Sequence, residues 1–130
     1  METAAPLPLP RADFEVETLT MVVLYEGPRA SEFHGAELER LLQEHLAFTV
    51  ALVAKGHLLS AGGVVDHNHG TQRLTGFGFS MKSPDEVRRL VEPDPSVRAG
   101  LESVKTVTYT YPKGTLDFPL VRGRASGSGS

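Results

Sequence analysis

The sequence contains no cysteine, which removes disulfides, thiolate metal sites and a cysteine nucleophile, and leaves the redox compartment open. It has no cluster of basic residues either. The 13 Lys and Arg are set against 16 Asp and Glu, for a formal charge of -3, so no stretch is suited to tracking phosphates and nucleic acid is not an expected partner. No apolar run approaches the ~20 residues that span a bilayer. The opening Met1-Glu2-Thr3-Ala4-Ala5-Pro6 has neither the basic flank nor the apolar core of a signal peptide. The expectation is a cytoplasmic chain with no membrane partner. Gly-x-Ser-x-Gly, a Gly-x-Gly-x-x-Gly between strand and helix, and a helix with paired carboxylates are all missing, so serine hydrolysis, nicotinamide chemistry and glycoside hydrolysis find no support and no cofactor is expected.

What is present fits one domain. At 130 residues and 40% hydrophobic content the chain can bury one core but not two. Residues 1–14 alternate proline with other residues and read as an extended arm, since proline fixes φ and removes a donor. Residues 15–113 carry the folded domain. Residues 114–130 form an extension ending in Ala125-Ser126-Gly127-Ser128-Gly129-Ser130, the composition of a flexible linker.

Within the domain the signals alternate. Residues 19–25 are β-branched and apolar on both faces, as in a central strand. From about Ala36 to Lys55, Leu38, Leu41, Leu42, Phe48, Thr49, Leu52 and Val53 recur at helical spacing, and Gly56 stops the helix. Residues 57–65 and 74–81 are strand-like and joined by a polar turn. Ser83-Pro84 opens a second helix with serine as cap and proline in the first turn, and Asp94-Pro95 repeats that signal. Residues 104–111 alternate with a period of two and predict the last strand. The order β-α-β-β-α-β predicts an α+β, ferredoxin-like fold with a four-stranded antiparallel sheet and two helices on one face. The other face, carrying Phe77, Phe79 and Met81, then needs cover, and a second copy of the chain is the simplest closed solution.

Three segments, Glu44-His45-Leu46, residues 55–63 (Lys55-Gly56-His57 through Gly63) and Asp94-Pro95-Ser96 through Leu101, resemble in order and spacing the YciI-like (YCII-related) family of dimeric α/β-barrel proteins, over roughly residues 19–112. The resemblance implies a homodimer. Most members of that family lack an assigned activity, and one branch eliminates chloride from a chlorinated hydroxyquinol. The resemblance also implies that a helix histidine and the aspartate of the Asp-Pro turn, here His45 and Asp94, are site residues. The N-terminal arm and the stretch after Pro112 both exceed the minimal family domain.

The residues themselves support a related reading. Counting about 100° per residue, His45 lies about 20° from the direction of Leu38, in the middle of the apolar stripe. Desolvation there is expected to lower its pKa and keep it neutral, hence a usable general base. The alternative is a core histidine satisfied by a carbonyl or a threonine. Asp94 can cap its own turn, orient His45, or do both. Tyr109, Tyr111 and Phe79 are candidates for binding an oxygenated aromatic substrate, although aromatics at alternating strand positions also simply pack. His67 and His69 lack a third ligand, so no metal site is expected. Glycines 62, 63, 76 and 78 mark close backbone approach or room for a ligand. Together these features point to a cofactor-independent lyase or isomerase that moves a proton on a small apolar or aromatic oxygenated molecule, with alanine- and arginine-rich usage suggesting bacterial secondary metabolism. A non-catalytic dimeric module that binds a small ligand or another protein is the competing class.

Overall fold

Strand β1, Val16–Glu26, is the axis of the fold. Its run of β-branched and apolar residues suits a position with neighbours on both edges, and it pairs antiparallel with β3, Leu74–Ser80, on one side and β4, Glu102–Pro112, on the other. A short β2, Ser60–Gly63, completes the sheet beyond β3 in the order β2-β3-β1-β4. The computed structural model describes residues 5–118. The Gly/Ser tail and the first four residues of the arm lie outside that range. Residues 5–15 carry no helix or strand, bend at residues 13–14 and are exposed.

Helix α1, Gly35–Ala54, follows β1 through a short 3-10 turn. It ends where Gly56 enters the left-handed region at φ 79°. There the Gly56 amide reaches Val53 and the His57 amide reaches Leu52 at 2.9 Å, the paired contacts of a glycine-terminated helix. Helix α2, Pro84–Val91, is capped by Ser83, whose side chain accepts from the Glu86 amide. The single turn α3, Pro95–Arg98, is capped by Asp94. The architecture is thus α+β and ferredoxin-like, with all helices on one face of the sheet. Of the described residues, no helix is long and apolar enough to cross a membrane.

Alternation along β1 divides the core. Val22 and Leu24 face the helices and pack with Leu52, Leu58, Val87, Val91 and Val104. Leu19, Met21 and Val23 face the other way, paired in register with Tyr109, Phe79 and Phe77. Among the helix-facing positions of β2 and β3 are Ala61, Gly63, Gly76 and Gly78, which pair among themselves and with Leu24 and Val22. A Cβ on Gly78 would sit 2.5 Å from the Ser60 carbonyl oxygen, so glycine is what lets β2 and β3 approach there. This corner carries almost no side chains; α1 packs against α3 and sends Leu52 into the core.

The chain continues past β4 through Gly114 and returns over the helix-free face, where Phe118 meets Phe79 at 5.8 Å between ring centroids. That face is partly covered by the chain's own extension.

Candidate functional site

The unfilled corner is a cavity of about 940 Å³ between α1 and the sheet. Only Leu41 and Leu52 of the α1 stripe are buried. Leu38, Leu42, Leu46 and Val50 line the cavity instead, and the last three remain about half exposed. His45 sits in the same wall.

The imidazole is held from behind. Asp94, as the cap of α3, divides its two oxygens: Oδ1 accepts from the Ser96 amide at 2.9 Å, and Oδ2 lies 2.6 Å from His45 Nδ1. A carboxylate oxygen here accepts, so Nδ1 carries the proton and donates. The capping and orienting roles therefore coexist in one carboxylate. Asp94 is only 1% exposed and Ser96 is fully buried. His45 Nε2 makes no hydrogen bond among the described residues. Since no buried side-chain nitrogen or oxygen there lacks a partner, Nε2 opens onto the cavity.

Two further residues complete the arrangement. α3 ends at Gly100, φ 83°, with the Leu101 amide bonded to the Ser96 carbonyl at 3.0 Å. This turn delivers Glu102, the first residue of β4, beside Ser96. Glu102 is 6% exposed. Its Oε1 takes the Ser96 hydroxyl at 2.6 Å and lies 3.4 Å from His45 Nδ1, while its Oε2 accepts from Thr75 Oγ1.

The sequence predicts a neutral His45, because burial disfavours the charged form. The structure reverses the sign. The hydrogen bond to Asp94 raises the His45 pKa above 6.5, with smaller upward contributions from the charges of Glu102 and Asp94, and desolvation opposes without overcoming them. His45 is thus a proton carrier with raised affinity, held as imidazolium further up the pH scale than a free imidazole.

His45 and Asp94 are brought together. Tyr109, Tyr111 and Phe79 are not: they lie on the helix-free face, where Tyr109 stacks on Tyr111 at 5.8 Å and Phe79 packs between Tyr109 and Phe118. None of the three lines the cavity. Asp66 closes the β2–β3 connection by accepting from the Asn68 and Leu74 amides. Ser96, Glu102 and Thr75 were not signalled by sequence spacing. The available hint lay in the glycine side of β3, which marks the face with room for a ligand.

Comparison with known proteins gives one family match: the model of the YCII-related domain matches residues 18–110. Among solved structures, the 5-chloro-2-hydroxyhydroquinone dehydrochlorinase (TftG) from Burkholderia phenoliruptrix AC1100, in complex with 2,5-dihydroxybenzoquinone, is similar to this chain. The identity is 22% and the TM-score 0.41, covering 72% of this chain and 95% of that one. No curated protein matches.

The electrostatics carry a stability consequence. With its folded pKa above the ordinary 6.5, His45 binds more protons in the folded than in the unfolded chain between the two values. Its contribution is therefore fully present below 6.5 and lost as pH rises through the folded value. The difference in thermal midpoint between the native protein and His45→Gln is expected to be largest near about pH 6 and to shrink as pH increases. A difference that is constant or grows with pH would contradict the pairing.

Proposed function

The chain belongs to the YCII-related domain family, and from that membership and the geometry of the cavity we propose that it is a cofactor-independent lyase or isomerase working by proton transfer at His45. The observation that carries this reading is an imidazole fixed at Nδ1 by a buried carboxylate, with its other nitrogen open to an apolar cavity. In its unprotonated form, Nε2 removes a proton from a carbon or hydroxyl of the bound molecule. The Asp94 carboxylate stabilises the imidazolium that results. In an elimination, the electron pair of the broken C–H bond forms a double bond and the leaving group departs with its own pair. In an isomerisation, His45 returns the proton to a different atom.

The substrate class follows from the walls. Leu38, Leu42, Phe48 and Val53 offer apolar surface, while polar groups gather at His45, Asp94, Glu102 and Thr75. Such a wall suits a small apolar or aromatic molecule with oxygen substituents at one end. The cavity volume falls within the range of about 300–1,000 Å³ usual for small-molecule sites.

The reading is tested by incubating the protein in D2O with a panel of small hydroxylated aromatic and alicyclic compounds and following deuterium uptake by mass spectrometry. Exchange, elimination or rearrangement of at least one compound is expected, and His45→Ala should abolish it while remaining folded. Binding without exchange for every compound bound would instead favour the non-catalytic ligand-binding class. Exchange that persists in His45→Ala would remove His45 from the chemistry.

We further propose that the helix-free face is completed by a second copy of the chain. Phe77 and Tyr109 are 37% and 38% exposed there, and Phe118 covers only part of the surface. A monomer leaves that apolar area in water. Sedimentation velocity at micromolar concentration should give twice the 14.0 kDa chain mass, and Val23→Glu, which places a charge at the centre of the face, should give the monomer. A monomeric native protein would overturn the arrangement.

A further inference from the structure

We propose that Glu102 is a positioning residue of the same site: a second carboxylate that Ser96 and Thr75 hold toward His45, so that the proton affinity of the imidazole is set by two anions rather than one. This deepens the proton-transfer reading of His45.

A count of hydrogens supports it. Four donors meet two carboxylates. Asp94 has two N–H donors, His45 Nδ1–H at 2.6 Å and the Ser96 amide at 2.9 Å. The Ser96 hydroxyl has a single hydrogen and two carboxylate oxygens within reach, Glu102 Oε1 at 2.6 Å and Asp94 Oδ1 at 2.9 Å. The shorter contact, and the N–H donors already on Asp94, assign that hydrogen to Glu102. The Thr75 hydroxyl then serves the other Glu102 oxygen. Each donor is used once and each carboxylate receives two.

Bringing two carboxylates to one hydroxyl in a buried place is unfavourable unless positive charge lies between them or beside them. His45 is the group placed to supply it, with Nδ1 2.6 Å from one carboxylate and 3.4 Å from the other. Among the described residues, no other group lining the cavity offers an equivalent charge. Glu26 on β1 is paired with Arg73 at 2.9 Å, and Ala61, Gly62 and Gly63, which line it from β2, carry no charge. On α1 itself, Glu44 is paired with Arg40 at 2.7 Å and exposed.

The consequence is that Glu102 tunes His45 without touching its proton directly. Glu102→Gln keeps the reach to Thr75 and Ser96 and removes the charge. Glu102→Asp keeps the charge and withdraws it by one methylene.

The test is the titration of His45 by imidazole NMR in the ligand-free protein, so the answer does not depend on whether any compound is turned over. The midpoint is expected to move to lower pH in Glu102→Gln and to an intermediate position in Glu102→Asp, with the backbone amide spectrum retained. If Glu102→Gln does not fold, Glu102→Asp alone decides, by a downward shift or none. A folded Glu102→Gln whose His45 titrates as in the native protein would overturn the proposal and leave Glu102 as a structural acceptor for Ser96 and Thr75. Such a result would leave the D2O exchange at His45 unaffected, so the two readings fail separately.

Discussion

The hydrogen bond from His45 Nδ1 to Asp94 Oδ2, at 2.6 Å, joins the middle of α1 to the start of α3. It decides what the imidazole can do. Asp94 is already fixed by its duty to the Ser96 amide, so its free oxygen has one direction, and the histidine that meets it has one tautomer and one orientation. Nε2 is left facing the cavity. Removing His45 would leave a buried Asp94 oxygen without its donor, and removing Asp94 would release the ring.

The cavity comes from an absence rather than from a specially shaped wall. Ala61, Gly63, Gly76 and Gly78 give the helix-facing side of β2 and β3 no bulk, while α1 presents leucines that would ordinarily have buried themselves. The sheet spends its large side chains on the other face, where Phe77, Phe79, Tyr109 and Tyr111 gather. One choice of strand register, glycine inward and aromatic outward, therefore produces both the ligand-sized space and the apolar surface suited to a second copy.

Much of this was legible in the sequence. The order of elements followed from helical and strand periodicity together with the Ser83-Pro84, Asp94-Pro95 and Gly56 signals, and His45 declared itself by its place on the α1 stripe. The sign of its pKa shift was misread because burial was weighed without the carboxylate, whose distance no linear spacing supplies. Glu102 and Ser96 stayed hidden for a similar reason. They meet only because Gly100 turns the chain back on itself, and a serine in a turn and a glutamate at a strand start are ordinary by themselves. Tyr109, Tyr111 and Phe79 show the limit of a period of two, which sorts residues into faces without saying which face the helices cover.

The state of one ring decides the chemistry of the cavity. Nitrogen-15 NMR of His45, recorded above its titration midpoint, distinguishes the two neutral tautomers. The geometry predicts the Nδ1–H form, with its proton strongly hydrogen-bonded to Asp94 and Nε2 bare toward the cavity. An Nε2–H tautomer would contradict it, since the nitrogen facing the cavity could then no longer accept a proton.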